Sequence, residues 1–298
     1  MSAPGSGRGW AVRVPVGYRV GDWRVTAPIA TGSFGSVYAA RHASSGADAA
    51  LKFIAAGRVG HRRELAEREA AFGRRARHDH LVAVVDTLTV DDPPRPFDGA
   101  LVLVMERAAG SLQDRLDAAV PGRPLPGAPR IVAETCAGLA HLHAAGWVHG
   151  DVKPANILLT AGGGVRLADF GLVTALVGDH GYGPPLGSPD YQSPQRRAAR
   201  LSERGVPVRR GDDVWALGVT AHRVLTGGCW PFPGDTGDAR AAAARWVVAG
   251  RTPLRLCDGL PPAWRAFVAT CLDPERERPT SELLGCARRL AEGPAPVT

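Results

Sequence analysis

The stretch that decides the reading is His149-Gly150-Asp151-Val152-Lys153-Pro154-Ala155-Asn156-Ile157-Leu158-Leu159. Its polar groups at 149, 151, 153 and 156 stand in a loop, after a helix and before an apolar strand. A loop with a purely structural task has no need of an Asp, a Lys and an Asn at this spacing. Thirteen residues after Asn156 comes Asp169-Phe170-Gly171, again at the end of an apolar run made by Val165, Leu167 and Ala168. An Asn and an Asp on adjacent strands can converge on one divalent cation. Hard oxygen ligands together with phosphate oxygens are the donors that Mg²⁺ prefers.

Two segments upstream fit the same chemistry. Ile29-Ala30-Thr31-Gly32-Ser33-Phe34-Gly35-Ser36-Val37 is a Gly-rich turn between two strand-like runs. Without a Cβ in the way, backbone N–H groups there can approach phosphate oxygens. Read alone, Gly32 and Gly35 are equally suited to an ordinary hairpin. Ala50-Leu51-Lys52 ends an apolar strand in a lysine, which read alone is a solvated edge residue.

Taken together and in this order, the motifs resemble those of eukaryotic-type protein serine/threonine kinases, most closely the bacterial branch, over about Tyr18 to Leu290. The resemblance implies an α+β, two-lobed protein-kinase-like fold with a small β-rich N-lobe and a larger, mainly α-helical C-lobe. It implies Mg·ATP as phosphate donor, with Mn²⁺ able to replace Mg²⁺, and protein substrates. Gly32, Ser33 and Gly35 would cover the ATP phosphates, and Val37, Ala50 and Leu158 would sandwich the adenine. Lys52 would hold the α- and β-phosphates, oriented by Glu69, with Glu64 and Glu67 as fallbacks. Met105 would be the gatekeeper, and backbone groups of Glu106 and Ala108 would bond the adenine edge. Asp151 would accept the hydroxyl proton, Lys153 would neutralise the transferring phosphate, and Asn156 and Asp169 would bind the metal. The form D-x-K-P-x-N is similar to that of Ser/Thr kinases rather than Tyr kinases. Gly187 to Gln195 resembles the substrate-docking end of an activation segment, with Ser188 in place of the threonine that bridges the catalytic Asp and Lys. Asp213 to Gly218 resembles the buried helix whose aspartate ties down the catalytic loop. Asp273-Pro274 and Arg278-Pro279 resemble the last motif of the fold, and His143 and His149 occupy scaffold positions.

Four positions depart from the family pattern. Ala30 replaces the first glycine of the loop, and Gly73 replaces a large apolar residue four positions after Glu69. Gln195 replaces a glutamate that would pair with Arg278; a buried, unpaired arginine would cost about 3–5 kcal/mol, so Gln195 must hydrogen-bond it, or another acid or solvent must reach it. Gly150 replaces the arginine that would grip a phosphate on the activation loop. From Leu172 to Leu186 the only hydroxyls are Thr174 and Tyr182. Activity is therefore expected without phosphorylation of that loop.

Two other classes compete. His-Gly-Asp followed by Asn156 is similar to small-molecule kinases acting on aminoglycosides or choline-like alcohols. Lys153, Asp169-Phe170-Gly171, Gly187 to Tyr191 and Asp213 to Gly218 speak against that. A pseudokinase or scaffold would have lost Lys52, Asp151, Asn156 or Asp169, and all four are present.

The expected organisation is a tail over 1–14, a kinase domain over 15–292 and a short tail over 293–298. Within the domain the N-lobe covers about 15–105, the hinge 105–110 and the C-lobe 111–292. Strands are expected at Asp22–Ile29, Gly35–Arg41, Ala49–Ile54, Leu81–Leu88 and Ala100–Glu106. Helices are expected at His61–Arg77, around Ile131–His143, and at Asp213–Leu225, Asp238–Ala249, Pro262–Leu272 and Ser281–Ala291. The cluster Arg196 to Arg210 holds six arginines against Glu203 and is read first as a solvated loop, second as a docking surface.

Composition agrees with a cored, soluble domain. The chain has 298 residues, 45% hydrophobic, with a formal charge of +7. No run free of Asp, Glu, Lys and Arg exceeds the length of Thr135 to Gly150, which is short of the ~20 residues of a membrane span. No signal-peptide pattern opens the sequence, so the expected setting is cytoplasmic. The five cysteines are odd in number, far apart and without a C-x-x-C, which argues against a disulfide framework or zinc knuckle. The basic excess comes without aromatic-basic interleaving, so nucleic acid is not expected as a partner. No feature specifies an oligomeric state.

Overall fold

A computed structural model describes residues 11–32, 35–55, 60–273 and 278–293, with backbone only at 60–65. Ser33, Pro274 and 294–298 lie outside them. The chain divides into two compact units, Met1–Arg77 with Val82–Ala108, and His78–Leu81 with Ala109–Thr298.

The first unit is the small β-rich lobe. Its strands are β1 (Arg19–Val20), β2 (Trp23–Thr31), β3 (Ser36–His42) and β4 (Asp48–Ile54), then helix α1 (Gly60–Arg75), β5 (Val84–Thr89) and β6 (Leu101–Met105). The strands form one antiparallel sheet in the order β1-β2-β3-β4-β6-β5. Alternation builds its core: Val25, Tyr38, Ala40, Leu51, Phe53, Val102 and Val104 are buried on it.

Residues 11–14 correct the expected tail. Val12 and Val14 belong to this core, while Arg13 between them is exposed. Their amides are anchored as well: Val12 N donates to Ser36 Oγ at 3.0 Å and Val14 N to Tyr38 Oη at 3.0 Å. Tyr38 Oη in turn donates to Val12 O at 2.7 Å. The Gly/Ser/Pro-rich residues ahead of them hid a period-two apolar pattern only three residues long.

The second unit is larger and mainly helical. It holds β7 (Gly110–Ser111), α2 (Leu112–Asp117), α3 (Ala128–Ala144), β8 (Trp147–Val148), β9 (Ile157–Leu159) and β10 (Val165–Leu167). Then come β11 (Thr174–Ala175), β12 (His180–Gly183), α4 (Pro194–Ala198) and β13 (Val206–Arg209). Helices α5 (Arg210–Leu225), α6 (Gly237–Val248), α7 (Pro262–Cys271) and α8 (Thr280–Glu292) complete it. From Asp213 onward every residue of α5 is buried, as its apolar character on all faces requires. Trp215 stacks on Phe232 with ring centroids 5.4 Å apart.

The expected strand Leu81–Leu88 is shorter, because the chain changes partner inside it. Leu81 pairs with Leu167, and Leu167 N donates to His80 O, both in the second unit. The first unit resumes at Val82. No helix among the described residues is long and apolar enough to cross a membrane.

Candidate active site

In the first unit Lys52 lies on β4, directly across from Val37 on β3 and Leu103 on β6. Its Nζ donates to both carboxylate oxygens of Glu69 on α1, at 2.7 and 2.8 Å. Both side chains are nearly sealed from water, at 8% and 4% exposure. That burial selects Glu69 as the partner; Glu67 on the same helix is exposed. The β2–β3 turn closes with Gly32 N donating to Gly35 O at 2.9 Å. A Cβ at Gly35 would stand 2.3 Å from Phe53 O, so only glycine lets β3 start this close to β4. Ala30 lies in β2 opposite Val37 without a positive φ, so a methyl group is accommodated there.

Ala50 pairs with the buried Met105 at the end of β6. The N–H of Glu106 donates to Ala83 O, and its Oε1 accepts from Ala83 N. A ligand at this residue is therefore met by its carbonyl rather than its amide. Ala108 is half-buried beside it. Gly73 is explained by contact: a Cβ there would meet Val84 Cγ2 at 2.4 Å. The valine of β5 fills the space a larger residue on α1 would take.

In the second unit the loop 149–156 is assembled around Asp151, 7% exposed. Lys153 Nζ donates to Asp151 Oδ2 at 2.6 Å and to Ser188 Oγ at 2.7 Å. Asn156 Nδ2 donates to Asp151 O at 2.9 Å and to Oδ2 at 3.1 Å. Ser188 N donates to Asp151 Oδ1 at 3.0 Å. The carboxylate is thus aimed by a cation, an amide side chain and a backbone N–H.

The loop backbone is held from beneath by Asp213 on α5. Its Oδ2 accepts from His149 N at 2.7 Å and its Oδ1 from Gly150 N at 2.9 Å. His143 Nε2 lies 2.8 Å from Oδ2, and its Nδ1 is 2.6 Å from Thr280 Oγ1. Burial pushes the Asp213 pKa up, but the His143 hydrogen bond, the neighbouring imidazoles and the Gly150 amide outweigh it, and the net direction is down. His141, two residues before His143, points elsewhere and stacks on His78 at 4.5 Å.

The β9–β10 ladder sets Ile157 opposite Leu167, which leaves Asn156 and Ala168 at one end of the hairpin. Ala168 N donates to Asn156 O at 2.9 Å. Asp169 follows with φ 67°, the one non-glycine residue at positive φ among the described residues. Such strain persists where surrounding structure imposes it, commonly at ligand sites. Asn156 spends its amide nitrogen on Asp151 and keeps an amide oxygen as a donor for a cation, and Asp169, next to Ala168, brings a carboxylate. These are the hard donors that Mg²⁺ takes, so the residues fit the metal. Leu158, half-buried on β9, pairs with Arg166 and Ser111.

Residues 23–285 match the protein kinase domain. The chain belongs to this family. It is 32% identical to serine/threonine-protein kinase STK11 of Homo sapiens over 173 residues, 57% of this chain and 38% of the human protein. It is 31% identical to CBL-interacting protein kinase 22 of Oryza sativa over 280 residues, 86% of this chain and 58% of that protein. It is 34% identical to serine/threonine-protein kinase Pkn1 of Myxococcus xanthus over 224 residues, 71% of this chain and 30% of the relative. The matched chain thus spans between about a third and three fifths of these relatives.

Of the alternatives open for Arg278, another acid and solvent are what reach it: its side chain is 53% exposed and lies 3.7 Å from Glu282 on α8, while Gln195 is exposed. One expectation is corrected. The cluster Arg196 to Arg210 is not a plain solvated loop. Arg196 is buried, with Nη2 donating to Leu186 O at 3.2 Å, and Val206 and Val208 are core residues of β13. Sequence reasoning missed β13 because two alternating valines among arginines give too short a signal.

Proposed function

We propose that the chain is an ATP-dependent protein serine/threonine kinase of the bacterial type. It transfers the γ-phosphate of Mg·ATP to Ser/Thr hydroxyls of proteins, itself included, in the cytoplasm. The observation that carries this is the buried Asp151 carboxylate, bonded at once by Lys153, Asn156 and the Ser188 amide. That array aims one carboxylate at an incoming hydroxyl, which is what phosphoryl transfer by positioning requires.

The residues divide the task. Asp151 accepts the proton of the attacking hydroxyl. Lys153, already shared between Asp151 and Ser188, moves its charge onto the transferring phosphate. Lys52, kept extended by Glu69, takes the α- and β-phosphates. Gly32, Ser33 and Gly35 are the residues assigned to the phosphates, and Val37, Ala50, Leu158, Met105, Glu106 and Ala108 those assigned to the adenine. Asn156 and Asp169 would hold Mg²⁺, or Mn²⁺ in its place, and the ion would supply positive charge against the phosphate oxygens.

Activity without activation-loop phosphorylation is supported by Gly150. It has φ +81°, and a Cβ there would stand 2.8 Å from Leu172 O. Thr174, one of two hydroxyls in the loop, is buried and bonded to Leu172 O.

The test is incubation with labelled ATP and Mg²⁺, wild type beside Asp151→Asn, with the labelled sites mapped on the protein itself and on lysate proteins. Transfer to Ser/Thr in wild type, lowered about 10²–10⁴-fold in the variant, is expected. Equal transfer by both defeats the proposal. Label appearing only on a small amino-alcohol moves the protein to the small-molecule kinases.

A further inference from the structure

We infer that β13 is a positioning strand for phosphoryl transfer: it holds the activation segment in its working register, the task a loop phosphate performs where an arginine precedes the catalytic aspartate. This rests on the kinase reading above.

The segment is paired along its length. Thr174 and Ala175 on β11 pair with Val148 and Trp147 on β8. The chain turns back at Gly178, where Val177 bridges His180. His180, Gly181, Tyr182 and Gly183 on β12 then pair in order with Arg209, Val208, Pro207 and Val206 on β13. The layers are too close for a side chain at two points and tight at a third. A Cβ at Gly181 would lie 2.3 Å from Ala175 O, one at Gly205 would lie 2.3 Å from Gly183 O, and one at Gly183 would lie 3.1 Å from Val208 Cγ2.

The ladder is wired to the catalytic loop at both ends. Downstream of Gly183 only Pro184, Pro185, Leu186 and Gly187 intervene before Ser188, and the two prolines stiffen that strut. Leu186 O is fixed by Gln192 Nε2 at 3.1 Å and by the buried Arg196. Ser188 then meets Asp151 and Lys153. At its other end β13 runs directly into α5. There Asp212 accepts from Arg209 N at 2.9 Å and from Ser193 Oγ at 2.5 Å, and Asp213 supports His149 and Gly150. One helix start therefore fixes both the catalytic loop and the strand that registers the segment facing it.

The experiment combines hydrogen exchange with kinetics on phosphatase-treated, phosphate-free protein. In wild type the amides of 180–183 and 206–209 exchange far more slowly than those of exposed loops, and turnover is unchanged by the phosphatase. Gly205→Ala, at φ +111° and against Gly183 O, opens those amides and 184–188. It lowers kcat about tenfold or more while KM for ATP stays within about two-fold. Fast exchange of the ladder in an active, phosphate-free wild type overturns the positioning strand alone, whatever the variant's folding. So does an opened Gly205→Ala ladder with wild-type kcat. Loss of wild-type turnover on phosphatase treatment overturns both the strand and the phosphorylation-independent reading.

Discussion

Lys52 and Glu69 are a charge pair taken almost wholly out of water, and their energetics follow from that. The attraction offsets the cost of desolvating both groups, so the intact pair adds little net stability, but removing one member strips a buried charge of this ion pair. Glu69→Ala is expected to destabilise the first unit by about 3–5 kcal/mol in urea unfolding, and Lys52→Met with Glu69→Leu to recover most of that without recovering phosphate transfer. A double variant as unstable as the single one would show the pair to be worth more than its isostere. Asp213 predicts a pH effect. Its folded pKa lies below the ordinary 3.8, so its ionised form favours the fold. That contribution is complete above 3.8 and is lost as pH falls through the lower folded value. Asp213→Asn is expected to lower stability at pH 7 by roughly 2 kcal/mol, since one oxygen replaces two acceptors under His149 and Gly150. It should also remove this residue's share of the acid limb, read by thermal melts from pH 7 down to the acid limit. At this scale the array around Asp151 was legible in the sequence, because Asp151, Lys153 and Asn156 are polar residues at a spacing that a purely structural loop does not need.

Helix α1 and strand β5 show how one element dictates a residue in another. Gly73 is inside a helix, where glycine costs up to about 1 kcal/mol relative to alanine. Here the contact with Val84 reverses that preference, since a Cβ would stand 2.4 Å from Val84 Cγ2. Gly73→Ala is expected to destabilise by about 1–3 kcal/mol through overpacking, and Val84→Ala on the same background to recover part of it, as denaturant midpoints would report. A stabilised Gly73→Ala would mean that α1 rides off β5 freely. The long helices α3 and α5 were readable from their apolar spacing, with ends displaced by only a few residues. Strands β12 and β13 were not. Each is four residues long, and glycines on β12 and arginines beside β13 replace the alternation that marks a strand. What specifies them is close backbone approach at Gly181, Gly183 and Gly205, a property no residue-by-residue pattern displays.

At the scale of the molecule, the two units differ in how much of their stability is local. The second is built on buried helices, with α5 sealed from Asp213 onward and Trp215 stacked on Phe232. Among the described residues the first has a single sheet and one helix, so each apolar residue lining that sheet is a larger share of its core. Val12 and Val14 matter there despite lying ahead of the first strand. Removing them exposes the sheet face they cover and deprives Tyr38 Oη and Ser36 Oγ of their backbone partners. Burial of a valine contributes about 1.5–3 kcal/mol, so a chain beginning at Pro15 is expected to lose roughly 3 kcal/mol or more from the first unit. Lys52 rides on the same sheet, so phosphate transfer should fall with it at temperatures where the full chain is still folded. Arg13→Ser, on the exposed side of the same segment, is the control and should leave the melting curve in place. Paired melts of the truncated chain, Val12→Ser with Val14→Ser, and Arg13→Ser would decide the point. A truncated chain melting with the full one would show that the segment decorates the sheet rather than completing its core.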